Sequence, residues 1–218
     1  MDIYEALYTT RAMRRVKPDP IPLEAQARIL DAAVRAPSGG NAQTWRFVLV
    51  DDADVKSRLG PLYRASIDQL WKTIYADRLA AARANPDAAE SIEILKIQKS
   101  AQWLADNFER VPLFLLGFVQ HDSSGGSIFP AVWSAQLAAR AEGIGSALTS
   151  ILGVMHGAEA LEILGVPRDE GWIFACMVSF GYPTGRWGVA QRMPADQVAF
   201  RNGWGEPIGM PIPGPMWP

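Results

Sequence analysis

Short apolar runs that can form buried strands are few in this sequence, and long stretches with helical spacing separate them. Phe47–Val50, Leu113–Val119 and Trp172–Phe180 are the clear strand candidates, because each is a short apolar run bounded by polar or turn-forming residues. A doubly wound fold requires strands and helices to alternate regularly, and this chain lacks that alternation. The pattern therefore predicts an α+β arrangement of layers.

Apolar residues that recur every three or four positions mark the helical stretches. Helices are predicted over Ile3–Thr10, Leu23–Ala36, most of Ala53–Arg110, Phe129–Glu142 and Ala158–Leu164. Asn85-Pro86-Asp87 interrupts the long helical region, since proline disfavours helix at the residue before it. Ala147–Leu152 is predicted as a short strand or turn.

The composition fits one globular domain, residues 1–218, because 49% of the 218 residues are hydrophobic and can form a sizeable core. The net charge of −2 gives no positive field that would attract nucleic acid or an anionic membrane. The longest apolar run, near Val111–Val119, is too short to span a bilayer, and the N-terminus lacks the pattern of a signal peptide. We therefore expect a cytoplasmic protein without a nucleic-acid or membrane partner.

The C-terminal part of the chain, about residues 184–218, is dense in glycine and proline and is predicted to be an extended arm. It carries Trp187, Trp204 and Trp217, three of the eight tryptophans. Large aromatic side chains in a segment with little regular structure need a surface to cover. That surface can belong to the same subunit or to a neighbouring one.

The residues available for acid–base or nucleophilic chemistry are few. Cys176 is the single cysteine and lies in an apolar run, which predicts a buried, inert thiol. Only two histidines are present, and the sequence has neither a Gly-x-Ser-x-Gly elbow nor a histidine or cysteine pair with zinc-ligand spacing. We therefore predict no catalytic side chain and no metal site. Such a chain can still be an enzyme if a cofactor supplies the reactive atoms.

Two N-terminal segments can hold such a cofactor. Arg11-Ala12-Met13-Arg14-Arg15 offers three guanidinium groups, which suit a phosphate because they donate hydrogen bonds in a planar fork. Ala36–Trp45 contains two glycines flanked by Pro, Ser, Asn and Gln, as expected for a turn with side-chain amides at its edge. From spacing alone, a surface charge cluster and an ordinary loop explain these segments equally well.

Four motifs in order along the chain resemble those of the FMN-dependent nitroreductase family. Arg11-Ala12-Met13-Arg14 is similar to the Arg-Ser-Val-Arg signature, and Ala36–Trp45 to the Ala-Pro-Ser-x-x-Asn-x-Gln-Pro-Trp loop. Gly143-Ile144-Gly145 is similar to a Gly-Leu-Gly segment. Gly181-Tyr182-Pro183 and Arg192-Met193-Pro194 are similar to the Gly-Tyr-Pro motif and the basic Arg-x-Pro that follows it.

The resemblance implies a central, mostly antiparallel sheet flanked by helices and a homodimer with FMN at the subunit interface, with the C-terminal arm wrapped around the partner. Phe129–Trp133 and Asn202-Gly203-Trp204 resemble an actinobacterial branch of the family. The implied activity is a ping-pong reaction in which NADH or NADPH reduces FMN and a small aromatic acceptor, such as a nitroaromatic or a quinone, is then reduced. Alternatives are another reaction on the same fold (dehalogenation, dehydrogenation or use of a deazaflavin) and flavin binding without turnover.

The resemblance also implies which residues contact FMN. Arg11 and Arg192 bind the phosphate with help from backbone groups of Ala12 and Met13, and Arg15 lies near the pyrimidine edge of the flavin. Loop residues supplied by the other subunit contact ribityl and ring atoms; they are Pro37, Ser38, Gly39, Asn41 and Gln43. Backbone groups of three consecutive residues face the flavin nitrogen that accepts hydride; they are Leu148, Thr149 and Ser150.

Overall fold

A four-stranded antiparallel sheet forms the centre of the computed structural model, which describes residues 1–217. The strands are β1 (Trp45–Val50), β2 (Leu113–Val119), β3 (Gly145–Thr149) and β4 (Ile173–Gly181). They lie in the order β1-β2-β4-β3, so β1 and β3 are the two edge strands. The predicted α+β fold with a mostly antiparallel sheet is confirmed.

Seven helices accompany the sheet within the described residues. They are α1 (Ile3–Thr9), α2 (Leu23–Ala33), α3 (Ala53–Lys72), α4 (Ala76–Ala84), α5 (Ala89–Asp106), α6 (Ile128–Ala141) and α7 (Ile151–Ile163). Single 3-10 turns occupy residues 39–41, 108–110 and 195–197. None of these helices is long and apolar enough to cross a membrane.

Helices cover both faces of the sheet. α2 and α6 pack on one face, and α3, α5 and α7 pack on the other. Along β2, Leu113 and Leu115 point to the first face, while Phe114 and Leu116 point to the second. Because every β2 residue is buried, this strand is a continuous apolar run in the sequence rather than an alternating one.

The secondary structure predicted around β3 and α7 is partly wrong. β3 begins at Gly145 rather than Ala147, and α7 begins at Ile151 rather than Ala158. Glycine usually lowers the expectation of a helix, and α7 contains Gly153 and Gly157. A Cβ at Gly153 would lie 2.5 Å from the carbonyl oxygen of Phe174, so this glycine allows the helix to pack closely on β4.

The other predicted helices differ from the structure at their ends or interior. The predicted helix Leu23–Ala36 ends at Ala33. This end lies three residues before Ala36, the residue at which Pro37 disfavours helix. The Ala53–Arg110 region is helical as predicted, and the break near Pro86 is confirmed. A second break, between Lys72 and Ala76, carries no proline or glycine that would signal it in the sequence.

The arginine cluster lies on a segment that crosses one end of the sheet. Ala12 forms a parallel bridge with Ser146 of β3, and the Met13 N–H donates to the Ser146 carbonyl at 2.8 Å. Farther along, Val16 pairs with Pro183 just after β4. A Cβ at Gly145 would lie 2.8 Å from Met13 Cβ, so glycine at this position leaves room for the crossing.

Gly145→Ala is expected to lower the free energy of unfolding by about 1–3 kcal/mol, the usual cost of overpacking a buried site. Gly157→Ala is the matched control, because nothing lies within 4 Å of a Cβ there and alanine favours helix. Urea unfolding of both variants measures the difference. Equal stability of the two variants would contradict the close approach of the two segments.

Cys176 of β4 lies in the core on the face covered by α2 and α6, and the predicted buried thiol is confirmed. Burial raises the pKa of this thiol to about 12, so the nucleophilic thiolate is not formed near neutral pH. The cysteine therefore acts as a small apolar core residue.

The start of the C-terminal arm is held by a buried arginine. The Arg140 guanidinium stacks over the Trp187 ring at 4.1 Å, and its side chain is only 8% exposed. Arg140 Nε donates to Thr9 Oγ1 at 2.9 Å, and Arg140 Nη2 lies 3.3 Å from Glu5 Oε1. Arg140, a residue of α6, therefore contacts both α1 and the start of the C-terminal arm.

Farther along, the arm returns to α1 of its own chain. The Ala190 N–H donates to the Tyr8 carbonyl at 3.1 Å, and the Met216 N–H donates to the Tyr8 hydroxyl at 3.3 Å. The Trp217 ring packs 5.8 Å from the Tyr8 ring. Trp217 of the arm is therefore packed against its own subunit. The wrapping of the arm around a partner subunit stays a prediction.

Candidate functional site

A basic cleft of about 620 Å³ lies between residues 11–15 and helix α5. It is lined by five cationic side chains, Arg11, Arg14, Arg15, Lys96 and Lys99, and no carboxylate lines it. Within residues 1–217, none of the five forms an ion pair. Such a concentration of uncompensated positive charge favours a multiply charged anion as the ligand.

Arg14 is the half-buried member of this cluster. Loss of hydration lowers the pKa of its guanidinium, and the nearby Tyr63 has only a weaker, opposing effect. Tyr63 is itself buried, which raises the pKa of its phenol to about 12, so it is neutral near pH 7 and cannot balance the charge. An unpaired charge partly removed from water is costly, and a phosphate that accepts two parallel hydrogen bonds from the guanidinium offsets this cost.

Arg11 lies at the mouth of the same cleft. Its Nη2 donates to the Arg186 carbonyl at 2.7 Å, which fixes the direction of the side chain. A guanidinium carries five N–H donors, so most of them stay available to a ligand. Of the residues expected to contact FMN, the structure places Arg11, Ala12, Met13 and Arg15 together in this cleft.

Lys96 and Lys99 are cleft residues that the sequence reasoning missed. They are three positions apart on α5 and therefore project from the same face of the helix. Both are exposed, as expected for side chains at the rim of an open cleft. Their pattern in the sequence resembles any solvated helix face, so only the packing of α5 beside residues 11–15 reveals them.

The backbone of Leu148 lies on the same edge of the sheet as the arginine cluster. Ser146 directs its carbonyl outward to Met13, and alternate residues of a strand direct their backbone groups to the same side. The N–H and C=O of Leu148 therefore point outward from β3. Thr149 and Ser150 follow at the start of α7, where Thr149 Oγ1 accepts from the Ile151 N–H at 3.3 Å.

The glycine-rich loop has an unusual backbone. Gly40, Asn41 and Gln43 all have φ between +50° and +57°, a left-handed conformation that is uncommon for residues other than glycine. Hydrogen bonds hold the loop, because Ser38 Oγ accepts from the Gln43 N–H at 3.1 Å and Asn41 Oδ1 accepts from Gln43 Nε2 at 3.1 Å. Residues held in this conformation cluster at functional sites.

One protomer does not bring this loop and the basic cleft together. The loop precedes Trp45 at the start of edge strand β1, while residues 11–15 flank Gly145 at the start of the opposite edge strand β3. The register pairs Trp45 with Val119 at one end of the sheet and Gly145 with Gly181 at the other. At about 4.8 Å per strand and 3.3 Å per residue, three strand spacings and seven to eight residues place these diagonal corners roughly 27–30 Å apart.

Arg192 lies outside the basic cleft. It is exposed on the C-terminal arm, its Nη1 donates to the Gln191 carbonyl at 2.8 Å, and it lines a separate cavity against α1 and α6. The joint contact of Arg11 and Arg192 with one phosphate is therefore not assembled in a single protomer and stays a prediction. Within residues 1–217, no group of three or more His, Cys, Asp or Glu side chains is placed to hold a metal ion.

The family to which this chain belongs follows from its similarity to known proteins. A family model described as the nitroreductase family matches residues 7–182. The chain belongs to the nitroreductase family. Among curated relatives, 5,6-dimethylbenzimidazole synthase of Rhodospirillum rubrum is 29% identical over 197 residues, which cover 84% of this chain and 82% of that protein.

Solved structures of other proteins share the fold. The FMN-dependent nitroreductase NfnB from Mycobacterium smegmatis, in complex with NADPH, superposes with a TM-score of 0.60 at 21% identity over 86% of this chain and 93% of that one. Oxidised iodotyrosine deiodinase bound to FMN and 3-iodo-L-tyrosine superposes with a TM-score of 0.64 at 22% identity, covering 88% and 95% of the two chains. These two proteins of the same fold are therefore seen with different bound molecules.

Proposed function

We propose that this protein is an FMN-dependent oxidoreductase that accepts hydride from NADH or NADPH and then reduces a small aromatic acceptor, such as a nitroaromatic or a quinone. The observation that carries the proposal is the basic cleft, where a half-buried, unpaired Arg14 and four further cations converge in a nitroreductase-family chain. FMN supplies the ring that accepts and donates hydride when it is bound.

The residues of the cleft fit the phosphate of FMN. Arg11 and Arg14 offer planar forks to phosphate oxygens, while Lys96 and Lys99 add positive charge from α5. Arg14 is partly removed from water, and a bound anion offsets the free-energy cost of that burial. The cleft with an anion bound is therefore favoured over the empty cleft.

The remaining residues orient the ring. Arg15 adjoins the cleft on the side of α5 and would place positive charge near the pyrimidine edge, where it stabilises negative charge that develops on the flavin. The outward backbone N–H of Leu148 supplies a donor along the same sheet edge. No side chain of this chain has to be a catalytic acid or base in this scheme, because solvent can supply protons.

A homodimer completes the site. The loop that contains Ser38 and Asn41 is roughly 27–30 Å from its own cleft but is exposed and available to the cleft of a second copy. A two-fold axis that places each loop on the other subunit's cleft would create two equivalent sites. A cytoplasmic location and a single domain over residues 1–218 stay predictions from the sequence.

Spectra of the purified protein test this function. We expect a yellow protein that bleaches when NADH or NADPH is added without oxygen, and that regains colour when menadione or 4-nitrobenzoate is added. A colourless protein that takes up no added FMN contradicts the proposal. Bound FMN that neither nicotinamide reduces favours another reaction, such as dehalogenation, while reduction without transfer to any acceptor favours flavin storage.

A further inference from the structure

A groove of about 400 Å³ lies along helix α5 beside the basic cleft, and the two share Arg15 and Lys99. The half-buried ring of Trp103 lines this groove, together with the amide side chains of Gln98 and Gln102. Aromatic side chains bind nucleobases by stacking on the flat face of the base, and adjacent amides can form hydrogen bonds with its edge. The groove along α5 is therefore suited to a nucleobase.

The amides of the groove favour adenine among the bases. Gln102 Nε2 donates to Asp106 Oδ1 at 2.8 Å, which leaves the Gln102 Oε1 atom free to accept a hydrogen bond. Gln98 lies four residues before Gln102 and therefore projects from the same face of the helix. Glutamine amides pair with adenine, because its exocyclic amine donates a hydrogen bond and its N7 atom accepts one.

Two cations beside the groove exceed the number that FMN requires. A phosphate monoester carries a charge of about −1.5 to −2 near pH 7, which Arg11 and Arg14 can balance. Lys96 and Lys99 form no ion pair within the described residues, and both are exposed at the rim of the cleft. These two lysines are therefore available to a second phosphate after FMN has bound.

The spacing of charge and aromatic ring on α5 matches one nucleoside phosphate. Lys99 and Trp103 are four residues apart, which corresponds to about 6 Å along the helix axis. In an adenosine 2′-phosphate, the base and the 2′-phosphate are attached to adjacent carbons of one ribose, so the two groups lie close together. One such group can contact Trp103 and Lys99 at the same time.

We infer that the groove along α5 binds the adenosine 2′-phosphate end of NADPH, so that this protein uses NADPH in preference to NADH. The inference rests on the proposed function and names its hydride donor. The adenine stacks on Trp103, and the 2′-phosphate accepts hydrogen bonds from Lys96 and Lys99. NADH has a hydroxyl in place of this phosphate and gains nothing from the two lysines.

Calorimetric titration of the FMN-saturated protein with 2′,5′-ADP and with 5′-AMP tests the phosphate contact, because the two probes differ only in the 2′-phosphate. We expect 2′,5′-ADP to bind at least about tenfold more tightly. In the double variant Lys96→Gln, Lys99→Gln, the difference should fall to about twofold or less. The matched control Lys72→Gln, an exposed lysine of α3 that pairs with Asp68, should keep the full difference.

The variant Trp103→Leu tests the stacking of the base. We expect it to weaken binding of both probes about tenfold and to leave their ratio unchanged, since loss of stacking affects both adenines alike. Equal affinity of the wild-type protein for the two probes overturns the inference, and so does a difference that persists in the double lysine variant. Tighter binding of 3′,5′-ADP than of 2′,5′-ADP, or release of FMN by either probe, also overturns it.

Steady-state kinetics separates this inference from the proposed function. We expect kcat/KM for NADPH to exceed that for NADH at least about tenfold, and the double lysine variant should lower this ratio. Reduction of FMN with equal kcat/KM for the two donors contradicts the inference and leaves the proposed function intact. Selective binding of 2′,5′-ADP by a protein whose FMN neither donor reduces supports the nucleotide site and contradicts the proposed function.

Discussion

Replacing Arg14 by methionine is expected to stabilise the cofactor-free protein and to weaken FMN binding at the same time. The substitution keeps an apolar stem but removes an unpaired, half-buried charge, so the free energy of unfolding should rise by roughly 1 kcal/mol. Loss of hydrogen bonds from a charged group to the phosphate should weaken FMN binding by about 1.5–3 kcal/mol, or roughly 10- to 150-fold. Urea unfolding of the apoprotein and fluorescence titration with FMN measure the two effects.

Three further variants show whether burial decides the effect of Arg14→Met. Arg58→Met, on an exposed part of α3 away from the cleft, should change neither stability nor FMN affinity appreciably. Lys96→Gln and Lys99→Gln should weaken FMN binding less than Arg14→Met, because exposed charges are screened by water and salt. Unchanged FMN affinity in Arg14→Met would place the phosphate outside the basic cleft.

A mixed dimer is expected to recover cofactor that neither of two variant homodimers holds. The first variant carries Arg11→Ala and Arg14→Met, which damage the cleft. The second carries Gly39→Trp, because nothing lies within 4 Å of a Cβ at Gly39 in its own subunit, so the bulky ring is tolerated until the loop meets a partner's cleft. In the mixed dimer, one site combines the intact cleft of the second chain with the intact loop of the first.

Coexpression of the two variants with different affinity tags yields the mixed dimer after two purification steps. We expect about one FMN per mixed dimer, compared with about two in the wild-type dimer and very little in either variant homodimer. Full FMN content in the Gly39→Trp homodimer would show that the loop does not contribute to a site on a second subunit. Thermal unfolding of that variant, expected to match the wild-type apoprotein, serves as the folding control.

The parts of the fold that the sequence predicts well are those in which local pattern and burial agree. β2 is buried on both faces, and its apolar run from Leu113 to Val119 matches the strand bounds. α7 shows the opposite case, because Gly153 is needed for close packing on Phe174 and weakens the local helical signal. The break between Lys72 and Ala76 depends on tertiary packing, since no proline or glycine marks it.

The candidate site was predictable in its motifs but not in its arrangement. The arginine cluster and the glycine-rich loop stand out in the sequence, whereas their diagonal separation depends on strand order and register. The half-burial of Arg14 depends on its packing near Tyr63 of α3, and the contribution of Lys96 and Lys99 depends on where α5 packs. Each of these spatial arrangements brings together residues that are far apart in the sequence.

The stacking of Trp187 on the buried Arg140 sets a limit on any exchange of arms between subunits. Arg140 is also bound to Thr9 and Glu5, so it would stay in place, and extracting Trp187 would expose this interior cation. Only the polypeptide beyond Trp187 can therefore transfer to a neighbour without disrupting its own core. At Gly188, the next residue, nothing lies within 4 Å of a Cβ position, so the chain can change direction there without a steric clash.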